Sequence, residues 1–171
     1  MPPSGLDPAR PYERPRVVVS DAGPLISLGR LDLLPLLGEF FAEVQVPGIV
    51  VEECLARPDN VDARRIRQAL SNGMLLSCTS ASTPLPGLEP GESAAIARAL
   101  EIGAALLMDE RAGRAVAREP GLRVAGTAAP IGMAKKRGPI ASARDAFARL
   151  HDTDFRISPQ VIRTVLARVG E

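Results

Sequence analysis

The sequence predicts an α/β chain built on a central parallel sheet flanked by helices on both faces. Three observations carry that expectation. Short apolar runs of strand length alternate with longer stretches of helical periodicity from Arg16 onward. Gly, Pro and Asn residues stand at the joints between them. Strands separated by helices imply parallel crossovers, and hence a three-layer α/β/α arrangement in which ligands bind at the carboxyl ends of the strands.

Taken in order, Met1 to Pro15 carry five of the 16 prolines, show no periodicity and read as a disordered tail. The domain is expected over residues 16–171. Arg16 to Ser20 is a buried strand running into Asp21-Ala-Gly-Pro24. Pro24 suits the first position of a helix, and Leu25, Ile26, Leu28 and Leu31 extend its apolar pattern. Leu33 to Ala42 reads as a second helical piece, broken near Pro35 and Gly38. Val44 to Val46 is a strand stopped by Pro47, and a helix follows over Gly48 to Ala56. After the turn Arg57-Pro-Asp-Asn60, Asn60 caps a helix over Val61 to Leu70, closed by Gly73. Met74 to Cys78 is the third strand and Thr79 to Pro90 a loop. A helix from Gly91 to Ile102 ends at Gly103, strand Ala104 to Met108 runs into Asp109, and a helix spans Glu110 to Arg118. After Pro120-Gly121 comes strand Leu122 to Ala125. Gly126-Thr127 opens a helix ending in Lys135-Lys-Arg-Gly138. Helices near Ser142 to Leu150 and from Ser158 to Val169 complete the chain, the last with a Ser cap before Pro159.

Composition narrows the chemistry. The 171 residues hold 21 basic and 20 acidic side chains, a net charge of +1, which excludes a chain that is basic throughout. Of the basic residues only Lys135 and Lys136 are Lys. Arg suits phosphate recognition, but Arg and Ala enriched together are more simply explained by GC-rich coding. One His argues against a His-rich zinc site and against a His-containing catalytic triad. His151 and Cys54 read as structural. Cys54 and Cys78 suit reduced thiols rather than a disulfide framework. No signal peptide is apparent and no apolar stretch approaches the ~20 residues of a membrane span, so a cytoplasmic protein without a membrane partner is expected. Carboxylates, hydroxyls and backbone amides remain.

Four acids stand where core patterns or strand ends fall. Asp21 follows the first strand, where a turn residue would also fit. Glu53 has Ile49 and Val50 at i−4 and i−3, which places it on an inward face, with Glu52 turned outward; a solvated Glu is the plainer reading. Glu92 heads the stripe Ala95, Ile96, Ala99, and would also be favoured there by the helix dipole. Asp109 ends the fourth strand, where an N-cap is equally natural, and Glu110 beside it is an alternate. Two of them end strands expected to be neighbours in the sheet, and the other two start or line the helices near those ends. Such a cluster repels itself unless a cation is present, and oxygen-only ligands select hard ions such as Mg²⁺ or Mn²⁺.

Asp21-Ala-Gly-Pro-Leu-Ile26, Val46-Pro-Gly-Ile-Val-Val-Glu-Glu53, Gly91-Glu-Ser-Ala-Ala-Ile96 and Leu106-Leu-Met-Asp-Glu-Arg-Ala-Gly-Arg114 occur in the order found in PIN-domain nucleases. Val124-Ala-Gly-Thr127 and Phe155-Arg-Ile-Ser158 extend the match, which runs from about Arg16 to the C-terminus. The chain resembles the prokaryotic PIN-like branch related to VapC-type toxins. No single motif is specific; the ordered set is. The resemblance implies an α/β/α PIN-like fold, divalent-metal-dependent endoribonuclease activity on RNA, and Asp21, Glu53, Glu92 and Asp109 as the catalytic and metal-holding acids. It also implies a homodimer and a toxin role. Such toxins usually pair with a small antitoxin, though nothing in this chain shows one. The fourth motif departs locally, with Asp109-Glu110 where many relatives carry Ser/Thr-x-Asp, which keeps both residues in play.

Around the acids, Arg114 is expected to pair with a carboxylate or to contact RNA phosphate. Ser20 and Thr127 are expected to cap strand ends or touch water at the ion. Lys135, Lys136 and Arg137 form the densest basic cluster, explained equally by a helix C-terminus. A haloacid-dehalogenase-type phosphatase would need an acid where Gly23 stands, and no Gly-rich phosphate loop is present. The other reading is a catalytically weak PIN-like domain that binds RNA or a protein partner.

Overall fold

The computed structural model of the protein describes residues 17–80 and 83–171. The expected tail over Met1 to Pro15, Arg16, and part of the expected loop over Thr79 to Pro90 lie outside the described residues.

Five strands, β1 (Val17–Ser20), β2 (Glu43–Pro47), β3 (Leu76–Cys78), β4 (Ala105–Leu107) and β5 (Val124–Ala125), form one sheet in the order β3-β2-β1-β4-β5. Every pairing is parallel. The chain lays down β1, β2 and β3 in one direction, then returns to the other side of β1 for β4 and β5. The reversal falls between β1 and β4, the position where open α/β sheets form a crevice at their carboxyl ends. Val18 pairs with Ala105 and Ser20 with Leu107, so both strands stop at the same level. The ladder continues one step further, with the Asp21 N–H donating to the Leu107 carbonyl at 2.9 Å.

The helices are α1 (Ala22–Arg30), α2 (Pro35–Phe40), α3 (Gly48–Leu55), α4 (Val61–Ser71), α5 (Pro90–Ile102), α6 (Arg111–Arg118), α7 (Ala128–Arg137), α8 (Ala143–His151) and α9 (Pro159–Val169). The pleat of the sheet explains how they divide. Val18, Val44, Val46 and Leu107 point to one face and join Leu25, Leu28, Ile131 and Phe147 in a single buried cluster. Val19, Leu106 and Met108 point to the other and meet Ala95, Ile96, Ala99 and Ala117. Successive strand residues serve opposite faces, and each face is closed by its own helices, which gives the three-layer α/β/α architecture.

Two strands are shorter than the apolar runs suggest. Leu75 donates its N–H to Ala69 and Leu122 to Ala117, after Gly73 and Gly121 have turned the chain with φ of +80° and +93°. These apolar residues close the preceding helix instead of joining the sheet. Cys54 and Cys78 are free thiols. No helix among the described residues is long and apolar enough to cross a membrane.

Candidate metal and nuclease site

The crevice between β1 and β4 is where the first acids gather. Asp21 stands at the mouth of α1 with extended backbone (φ −78°, ψ 172°), and its side chain caps nothing. The residue is 7% exposed, and its Oδ1 is buried without a hydrogen-bond partner among the described residues. Burial pushes its pKa up to about 7; the Ala22 N–H opposes this, and Glu53, Glu92 and Asp109 add to it. The other three expected acids therefore all act on this one buried carboxylate.

Asp109 is anchored on both oxygens. Oδ1 accepts from the Thr127 N–H at 2.7 Å, and Oδ2 from the Thr127 hydroxyl at 2.6 Å. Burial raises its pKa, and Thr127 and Arg114 hold the increase back. The carboxylate lies against backbone that carries no side chain. A Cβ at Gly126 would stand 2.6 Å from Oδ1, and one at Gly23 would stand 3.3 Å from Oδ2. Glu110 does something else: its exposed carboxylate accepts from the Ala112 N–H at 3.3 Å and caps α6. The two adjacent acids thus split, Asp109 toward the crevice and Glu110 toward its own helix.

Glu53 and Glu92 meet at the N-terminus of α5. Glu53 corrects the inward placement expected for it. The buried stripe of α3 is Val50 and Cys54, whereas Ile49 is 37% exposed and Glu53 lies with it on the open flank. Its carboxylate nevertheless presses on Gly91, where any Cβ would collide with it, and it accepts from the Gly91 N–H. Burial of that head raises its pKa despite the amide, and Glu89 and Glu92 add to the rise. Glu92 closes a capping box, its Oε2 accepting from the Glu89 N–H at 3.0 Å. Glu89 falls within the loop that the sequence predicts over Thr79 to Pro90, and is the cap residue of α5. The pattern Glu89-Pro-Gly-Glu92, a cap residue and a Glu three positions on, was the signal for it.

The supporting residues divide as sharply. Thr127 is fully buried and spends its hydroxyl on Asp109. Ser20 turns its hydroxyl to the Asp21 carbonyl at 2.9 Å. Arg114 makes no carboxylate ion pair among the described residues; its Nη1 donates to the Met108 carbonyl at 2.9 Å beside Gly126. Lys135 is tied to Ala141 O at 2.7 Å and to Glu171 at 3.5 Å, and Arg137 lies over the Phe40 ring. His151 accepts from the Ile157 N–H through Nε2 at 3.4 Å, a structural role. The Cys54 thiol is pushed up to about 12 by burial and the nearby acids, so it offers no thiolate.

The donor set is oxygen only, and a partnerless buried carboxylate oxygen among further acids is what a hard divalent cation would satisfy. Asp21 and Asp109, with Glu53 and Glu92 beside them, are the residues that could hold one. Among the described residues, however, no three His, Cys, Asp or Glu side chains stand together closely enough to hold an ion as placed. Glu53 and Glu92 are turned to the amides of α5.

No curated protein matches the chain. Solved structures do. One is a PilT N-terminus domain protein from the hyperthermophilic archaeon Sulfolobus solfataricus P2, 17% identical, covering 83% of this chain and 99% of that one, with a TM-score of 0.48. Another is a domain of a functionally unknown protein from Methanocaldococcus jannaschii, also 17% identical, covering 65% of this chain and 90% of that one, with a TM-score of 0.46. A family model described as a PIN domain, DUF3368, matches residues 17–171. PIN domains are generally nucleases and usually use divalent metals. By that match over all but its first residues, the chain belongs to the PIN-domain family.

Proposed function

We propose that the protein is an Mg²⁺- or Mn²⁺-dependent endoribonuclease that hydrolyses RNA phosphodiester bonds. The observation that carries this reading is Asp21, a buried carboxylate with a partnerless oxygen at the carboxyl end of the central strand, influenced by Glu53, Glu92 and Asp109. Asp21 and Asp109 would hold the ion from neighbouring strand ends, and Thr127 would keep Asp109 aimed at it. A divalent ion there supplies Lewis acidity toward a phosphate oxygen. Glu53 and Glu92 would complete the shell or take the proton of the attacking water after turning from the α5 amides. A toxin role with a small antitoxin, and a homodimer, follow from the same family likeness and are part of the proposal.

The test is cleavage of a labelled RNA with Mn²⁺ and with EDTA, in the native protein and in Asp21→Asn. Cleavage that needs Mn²⁺ and disappears in the variant supports the reading; equal cleavage by both sinks it. A second reading rests on a specific observation: two of the four acids are spent on capping α5, and no closed ligand group exists among the described residues. In that case the chain is a PIN-like domain that binds RNA or a protein without cutting. Mn²⁺ that fails to raise the melting temperature would favour it.

A further inference from the structure

We propose that the groove between α6 and α9 is a track for single-stranded RNA that leads into the carboxylate crevice. The choice of RNA rests on the proposed nuclease function.

A cavity of about 670 Å³ opens beside Asp109, and Asp109 and Gly126 line it as well as the crevice. One wall is α6, where Arg111, Arg114 and Arg118 share a face at i, i+3 and i+7. The other is α9, with Arg168 at its far end, and Arg156 lines the approach to that helix. Five arginines thus face a single acid, Asp109, in a chain whose overall charge is only +1.

Their present partners account for two of them. Arg114 donates to the Met108 carbonyl, and Arg156 donates to the carbonyls of His151, Thr153 and Phe155. Arg111, Arg118 and Arg168 are exposed, and no hydrogen bond or ion pair joins any of them to another described residue. Arg118 also repels Arg114. Five like charges with Asp109 as the one acid in the lining call for an anion, and the guanidinium fork suits phosphate oxygens.

The placement favours a single strand. The cationic groups come from α6, from α9 and from the segment before α9, all around one cavity of about 670 Å³, so a backbone lying in it meets arginines from separate elements. A duplex carries its phosphates on the outside of a wide cylinder and cannot reach both walls at once, whereas an extended strand can. Phe155, half-buried in the lining, offers a ring to an unstacked base. An acidic protein segment would use the arginines but would have no reason to run on to the crevice acids at Asp109.

The experiment is fluorescence anisotropy of the full chain with labelled oligouridylate in EDTA, across a salt series. The variant is Arg111→Gln/Arg118→Gln/Arg168→Gln, with Arg64→Gln/Arg67→Gln on the exposed face of α4 as the control. The native protein should bind, with the control alike. The triple variant should bind at least about tenfold more weakly at low salt, and its log–log salt slope should flatten by about two, since each single-strand phosphate contact contributes about 0.7. Melting curves establish that both variants are folded. An unchanged slope, no binding by the native protein, a hairpin duplex bound as well as the single strand, or polyglutamate competing as well as RNA would each overturn the groove. Cleavage is read separately with Mn²⁺. Groove-dependent binding without cleavage leaves this proposal standing and removes the nuclease reading; cleavage with an unchanged salt slope does the reverse.

Discussion

The acids of the crevice fall into two pairs held by different means. Asp21 and Asp109 follow adjacent parallel strands, so the sheet register sets their separation, and Asp109 is further pinned by two contacts to Thr127. Glu53 and Glu92 are placed by α3 and α5 and engage the amides of Gly91 and Glu89 at the start of α5. Asp21 is buried, and Asp109 is half-buried and held on both oxygens. The helix pair sits at a positive helix end that attracts carboxylates whether or not an ion is present. Fixed donors come from the sheet and adjustable ones from the helices, which predicts unequal consequences when each is altered.

The largest effect belongs to the strand pair. Asp21→Asn and Asp109→Asn should each lower Mn²⁺-dependent RNA cleavage by about three orders of magnitude, because several kcal/mol of ion-borne stabilisation is lost; single-turnover assays would measure it. If either retained native rates, the strand pair would not be the core of the site. Thr127→Val should cost about ten- to a hundredfold in activity and in Mn²⁺ affinity by freeing Asp109, with Thr127→Ser restoring most of it.

Glu92→Gln tests the helix pair. Gln keeps the capping-box acceptor, so the melting temperature should hold while cleavage falls about tenfold or more. A drop in both would show that capping is the residue's whole role.

Stability against pH separates the pairs in another way. The pKa of Asp21 is raised from 3.8 to about 7 on folding, so the native state holds a proton that the unfolded chain has released. Stability from this group therefore falls as pH rises from about 4 through 7. Asp21→Asn should be the more stable protein at pH 8, by at most about 4 kcal/mol at 1.36 kcal/mol per unit, and the advantage should vanish near pH 4. Chemical denaturation across that range would show it, and a variant less stable than the native chain at pH 8 would contradict it.

Glu171 supplies the smallest effect and a useful control. Its carboxylate accepts from the N–H groups of Ala143 and Arg144 and from the Ser142 hydroxyl, doing at α8 what Glu53 and Glu92 do at α5. Those donors, the Arg144 amide foremost, hold its pKa down at about 2. A depressed carboxylate stabilises above its unfolded pKa and loses that contribution as pH falls toward 2. Glu171→Gln should lower the melting temperature at pH 7 by a small amount that shrinks in acid, with cleavage untouched.

The strands and helices were legible because apolar runs, prolines and glycines mark their own boundaries, and Asp21 and Asp109 were legible because strand ends are. Glu53 was not. A two-turn helix carries Ile49 and Val50 side by side, and only the tertiary fold decides that Val50 is covered and Ile49 is not. The contact with Gly91 comes from α5, far along the chain. The same distance hid the arginine groove, whose walls are two helices that no local pattern connects.

Gly23, Gly91 and Gly126 share one consequence. Gly91 and Gly126 leave free the volume that the heads of Glu53 and Asp109 now occupy, and at Gly23 a Cβ would crowd Asp109 at 3.3 Å. The site is therefore written partly in hydrogen atoms, in places where nothing larger may grow. Two alphabets have to agree for this pocket to exist, one that supplies charge and one that withholds bulk, and a search for acids alone reads only the first.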